Sequence, residues 1–170
     1  MRRFQGATLV AATMTVGLMA GVFGLYAHTI MPGLGDTDRT FVDAFQAIDE
    51  AIANPLFLPT LVGALVFTGL AAVLEVREDR RSVLSWVLAA LVLYLAAFVI
   101  TVGVHLPLND EIKAAGEPDR IADLAEVRER FDEDRWIRWN VVRAVASTVA
   151  LGCLAWALVR HGRALLPHRA

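Results

Sequence analysis

Residues 82–109, SVLSWVLAALVLYLAAFVITVGVHLPLN, run for 28 positions without an Asp, Glu, Lys or Arg. A helix rises 1.5 Å per residue, so about 20 such residues cross the roughly 30 Å hydrocarbon layer of a bilayer. Outward from this stretch, residues 4–35, 51–74 and 144–159 are charge-free as well. The 16 basic and 18 acidic residues of the 170-residue chain therefore crowd into the segments between these runs. A soluble helical domain spreads charge over every helix, because each helix has a wet face. The pattern reads as an all-α polytopic membrane protein. It excludes a soluble enzyme, a secreted disulfide scaffold and a nucleic-acid binder built on a basic face.

The expected spans are approximately 5–31, 56–74, 83–106 and 140–160, within a single membrane domain covering 1–170. The first run follows Arg2 and Arg3, but it exceeds the about 7–15 apolar residues of a signal core and has no small-x-small cleavage site, so it reads as a span. Cys153 lies alone in the last run, where it packs as a small hydrophobe, and the chain has no CxxC pair.

Orientation follows from the basic residues at the helix ends. Arg2 and Arg3, then Arg77, Arg80 and Arg81, then Arg160, Arg163 and Arg169 all fall on one side of a four-span chain. The expectation is a cell-membrane protein with both termini cytoplasmic and two acidic loops outside. The first acidic loop carries Asp36, Asp38, Asp43, Asp49 and Glu50 against Arg39. Within it Phe41, Phe45, Ile48 and Ile52 form one apolar stripe of a helix over 37–54, capped by Thr37 or Asp38 and ended by Asn54-Pro55. In the second loop Pro118 suits a first helical position, and Ile121, Leu124, Val127 and Phe131 continue at helical spacing. No breaker separates Pro118 from the fourth span, so one unbroken helix is expected over 118–139 and into the bilayer. The expected architecture is an antiparallel four-helix transmembrane bundle with a helical extracytoplasmic cap.

Polar residues gather at the outer end and not in the inner half. His28 closes the first span, and His105 the third, with Asn109, Asp110 and Glu111 just beyond. Trp136, Asn140 and Arg143 are spaced i, i+4, i+7 on the fourth, beside Arg138 and Trp139. Arg143 stands about one turn inside the bilayer. Either it snorkels outward, or its guanidinium faces the bundle and binds an anionic or enolate oxygen, with Glu111 as an alternative internal partner. His28 and His105 are interfacial residues, acid–base groups, or ligands to a haem or to a metal shared with Glu111. No HExxH-type spacing supports a metal, and none is assigned. Trp136 and Trp139 offer rings as interface anchors or as ligand-stacking groups. Pro107 is expected to break the helix end, freeing carbonyls for the Asn109 amide.

His105-Leu-Pro-Leu-Asn-Asp-Glu-Ile112, the later Trp136-Ile-Arg-Trp-Asn-Val-Val-Arg143, Gly21-Val-Phe-Gly24, Met31-Pro32 and Asn54-Pro55 together resemble the anthrone oxygenase-like four-span membrane proteins. That family shows Asn-x-Pro-x-Asn after the third span and Trp-Asn-x-x-Arg opening the fourth. This chain departs at His105, where members have Asn. The resemblance implies oxidation of an anthrone to an anthraquinone by O2 without a cofactor. It needs a base, His28 or His105, with Arg143, Asn109 and Asn140 for the developing oxyanion, and Trp136 and Trp139 lining an apolar cleft. The partners are then membrane lipid and a hydrophobic small molecule, with no nucleic acid and an open oligomeric state. A non-catalytic protein that binds a lipid or quinone, or assists another membrane protein, is the alternative, and transport a weaker third.

Overall fold

The computed structural model describes residues 2–35, 37–77 and 81–163, and every regular element among them is helical. Asp36, Arg80 and Arg169, three members of the charge pattern, lie outside the described residues. Helix α1, Arg2–Leu25, passes into a π turn at Tyr26–Ile30 and a short helical turn at Met31–Gly33. Helix α2 is Asp38–Ile52, α3 Phe57–Arg77 and α4 Arg81–Ile100. A second π turn, Thr101–His105, joins α4 to α5, Leu106–Ala114. Helix α6, Leu124–Phe131, precedes α7, Glu133–Arg163.

Four stretches are long and apolar enough to cross a membrane: Arg3–Gly33, Phe57–Arg77, Arg81–Ala114 and Leu124–Arg163. Each buries one seam at alternating steps of three and four residues. On α4 the seam is Val83, Val87, Ala90, Tyr94 and Ala97; on α7 it is Trp136, Asn140, Arg143, Ser147, Ala150, Leu154, Ala157 and His161. A seven-residue repeat keeps one seam turned toward the neighbouring helices. The other faces expose Val66, Val73, Val92, Val99, Val145 and Val149, which would be a sticky patch in water and match lipid tails in a bilayer.

Sparse cross-helix hydrogen bonds set the pairing. Gln5 donates to the Leu74 carbonyl (3.2 Å), Tyr94 to that of Leu61 (3.0 Å), and Asn140 to that of Phe23 (3.1 Å). Each joins an early residue of one helix to a late residue of another. A second core lies over the end where the π turns sit. There Phe41 and Phe45 of α2, Ile112 of α5, Phe131 of α6 and Trp136 of α7 pack together, with Phe45 and Phe131 edge to face at 4.6 Å. Arg128 ties this layer down. It donates to Glu133 at 2.7 and 2.9 Å and to Asp38 at 3.2 Å, and its guanidinium lies 4.3 Å from the Phe41 ring centroid. Thr37, not Asp38, caps α2, accepting from the Thr40 amide at 3.2 Å.

Three expectations are corrected. The helix expected without interruption from Pro118 is broken twice. Pro118–Arg120 is a single 3₁₀ turn, Asp123 then caps α6 by accepting from the Glu126 amide, and Asp132 adopts a left-handed conformation (φ 51°) between α6 and α7. Aspartate favours such caps because its short carboxylate bonds nearby amides. Pro107 does not end its helix either. Its ring lacks an N–H and collides with the carbonyl four residues back, and widening the preceding turn to π spacing relieves both problems. The same device precedes Pro32. Finally, polar groups are not confined to one end, since Gln5, Glu75 and His161 are buried at the other.

Candidate functional site

The seam of α7 carries Arg143 inward, where the residue is only 5% exposed. Its Nη1 donates to Thr101 Oγ1 at 3.1 Å and its Nη2 to Asn140 Oδ1 at 2.7 Å. The guanidinium lies 4.2 Å from the centroid of the Phe23 ring and 5.7 Å from that of Trp136. Thr101 belongs to the second π turn, which inserts one residue and rotates the next helical stretch by about 100°. The direction of Asn140 is determined by its amide, which donates to the Phe23 carbonyl and so leaves Oδ1 for the arginine.

His105, 2% exposed, ends the same π turn and sets its ring edge-on to Trp136, with centroids 4.7 Å apart at 81°. Its Nδ1 is 3.3 Å from the Ile100 carbonyl. A carbonyl only accepts, so this contact favours the tautomer with its proton on Nδ1, which leaves the lone pair on Nε2. Nε2 makes no hydrogen bond with the described residues, and neither does Nε of Arg143.

A chain of polar contacts closes the outer side. Lys113 pairs with Asp49, Asp49 Oδ1 accepts from Asn109 Nδ2 at 2.6 Å, and Asn109 Oδ1 accepts from the Trp136 indole N–H at 2.9 Å. Carboxylate on one side and indole on the other allow the Asn109 amide one orientation. The relay therefore holds Trp136 between His105 and Arg143. It also replaces the expected pairing of Asn109 with carbonyls freed by Pro107.

These groups surround a partly enclosed cavity of about 110 Å³. A single water needs about 10–15 Å³ of such space, so the cavity has room for more than one. Its apolar walls come from Val22 and Phe23 of α1, Tyr26 and Ile30 of the first π turn, Phe45, Ile48 and Ile52 of α2, and Phe57 and Leu58 of α3. His105, Asn109, Trp136 and Arg143 line it together, and Asn140 stands behind Arg143. His28 and Trp139 are not brought there. His28 is exposed, with Nδ1 2.6 Å from the Thr29 hydroxyl, because Tyr26 and Ile30 take the inward positions of its turn. Trp139 is 40% exposed, falls beside the α7 seam and lines an outer hollow with Arg135 and Arg138. Glu111, two residues and about 200° from Asn109, is exposed on the far side of α5 and does not reach Arg143. Among the described residues no group of three or more His, Cys, Asp or Glu side chains is placed to hold a metal ion.

Sequence reasoning passed over Asp49, Lys113 and Thr101. Signals for the first two exist: Phe45, Ile48, Asp49 and Ile52 share one helix face, and His105, Asn109 and Lys113 recur every four residues.

Fold and cavity together define a multi-span helical membrane protein with an arginine enclosed in an apolar internal site. Within that class the chain belongs to the anthrone oxygenase family, whose model matches residues 51–153, a range holding His105, Asn109, Trp136, Asn140 and Arg143. No curated protein and no solved structure matches the chain.

Proposed function

We propose that this protein is an oxygenase of hydrophobic, enolisable aromatics, seated in the cell membrane with both termini cytoplasmic and the cavity end outward. Membrane lipid and an apolar small molecule are its partners, and no cofactor takes part. The observation that carries the reading is the state of Arg143. It is buried, its hydrogen-bond partners Thr101 and Asn140 are neutral, and among the described residues no carboxylate pairs with it. A buried cation without an anion is costly, and a bound enolate oxygen supplies one.

The family's name gives a substrate to reason with. In an anthrone the CH2 between two aryl rings is acidified by the carbonyl opposite. His105 Nε2 removes one proton, and the charge moves to the carbonyl oxygen, where the Arg143 fork stabilises it. The anion adds O2 at carbon and gains a proton, forming a hydroperoxide. That intermediate loses water to leave a second carbonyl, so CH2 and O2 become C=O and H2O. Phe23, Tyr26, Phe45 and Trp136 supply aromatic faces for the rings.

The test uses detergent-purified protein, 1,8-dihydroxyanthrone and air, with quinone formation followed by absorbance. Arg143→Lys keeps the charge and loses the planar fork, so turnover should fall about 100-fold or more, as for removal of an oxyanion donor. His105→Gln should lose about 100-fold or more in turnover while anthrone affinity stays within about threefold of wild type. Wild-type protein that binds the anthrone and leaves its oxidation rate unchanged would be a binding protein instead.

A further inference from the structure

A second hollow of about 250 Å³ lies against the cavity, on the outer face between α1 and the start of α3. Leu18 and Met19 form one wall, and Asn54, Leu56 and Thr60 the other. Val22, Ile52 and Phe57 line both spaces, so the two are separated by shared side chains only. Among the described residues no charged side chain lines the hollow. Its two polar side chains are already engaged with the backbone. Asn54 Oδ1 accepts from the Leu56 and Phe57 amides at 2.9 Å each and its Nδ2 donates to the Ala51 carbonyl, while Thr60 donates to the Leu56 carbonyl at 2.6 Å. A polar guest would find no handle there and would lose its own hydration. Polarity thus falls from Arg143, His105, Asp49 and Lys113 at one end to nothing at the other.

From this adjacency we propose that cavity and groove form one site for an amphiphile, a phenolic or enolic ring at Arg143 carrying an alkyl chain that passes Val22, Ile52 and Phe57 to lie between α1 and α3. This rests on the reading of Arg143 as the anion site. The substrate class narrows to acidic aromatics with an aliphatic tail, reached sideways from the lipid. Leu18 and Leu56, one on each wall, are 59% and 77% exposed, so the groove is open at the surface of the apolar helices.

The test is calorimetry in nanodiscs with two probes of one head group, 5-methylresorcinol and 5-undecylresorcinol. Comparing their affinity ratio between variants cancels partitioning into lipid. Thr60→Trp and Leu18→Trp fill the groove from opposite walls without touching the cavity. Each should leave 5-methylresorcinol within twofold of wild type and weaken 5-undecylresorcinol at least tenfold. Unchanged binding of the long probe in both variants would mean that the groove holds only bilayer lipid, and would overturn the proposal, as would equal losses of both probes. The anion reading fails separately. If Arg143→Gln binds 5-undecylresorcinol as wild type does while Thr60→Trp does not, the groove stands and the role of Arg143 falls.

Discussion

Arg143 and Glu75 are both ionisable side chains within candidate spans, and the protein surrounds them differently. Arg143 meets hydroxyl, amide and aromatic faces beside a cavity. Glu75, 1% exposed at the other end, lies 3.4 Å from His161 Nδ1. Such a pair contributes little net stability, because desolvating two polar groups offsets their attraction, whereas removing the imidazole leaves the Glu75 carboxyl buried without it. His161→Leu should therefore cost about 3–5 kcal/mol, seen as a lower unfolding midpoint in detergent. The double variant Glu75→Leu/His161→Leu should recover part of that loss. A double variant as unstable as the single one would show that the pair is not the unit. The seams make both groups legible in retrospect. Glu75 continues Ala64, Thr68 and Ala71 at helical spacing, and Arg143 continues Trp136 and Asn140.

At the scale of elements, breaks and bulges place the site. The two π turns keep α1 and the α4–α5 stretch helical through Pro32 and Pro107 and bring Tyr26, Thr101 and His105 to the cavity. The left-handed Asp132 turns the chain from α6 into α7 and then caps α7, accepting from the Arg135 amide at 3.2 Å. Backbone and side chain make separate demands at this position. Asp132→Asn meets both and should be nearly silent. Asp132→Gly keeps the backbone freedom and loses the cap, at a cost of a few tenths of a kcal/mol. Asp132→Val meets neither and should cost about 2 kcal/mol or more. Chemical denaturation ranks the three, and glycine falling below valine would refute the assignment. Local propensity alone did not reveal this break. The apolar spacing of Leu124, Val127 and Phe131 lapses to a five-residue step before Trp136, but an aspartate beside a periodic run is as compatible with a wet helix face as with a cap.

At the scale of the molecule, charge placement makes a claim about the membrane. Arg77, Arg81, Arg160 and Arg163 lie at the ends of their helices, on the side away from the aromatic layer. By the bias of basic residues toward the cytoplasm, that end is expected to face inward and the cavity end outward. Asp119, with a side chain 79% exposed and paired to Arg39, reports on the opposite end. A cysteine at Asp119 in a Cys153→Ser background should react with an impermeant maleimide on intact cells. Labelling only after lysis would reverse the orientation and place the cavity toward the cytoplasm.

Composition and spacing alone determined that the chain is helical, that it has four apolar stretches of membrane length, and that Trp136, Asn140 and Arg143 share a face. These are local consequences of charge exclusion and of the 3.6-residue turn, and they survive any choice of neighbours. Which histidine meets the cavity, and which carboxylate joins it, were decided only by tertiary structure. His28 and His105 both belong to π turns near the ends of two spans, yet His28 is the third residue of its turn and His105 the last of its own, which leaves one outside and the other beside Trp136. Asp49 reads in the chain as one of several solvated acids. It becomes part of the site because α2 folds over the span ends, where Asn109 and Lys113 of α5 meet it, and no local pattern encodes contacts 60 residues apart.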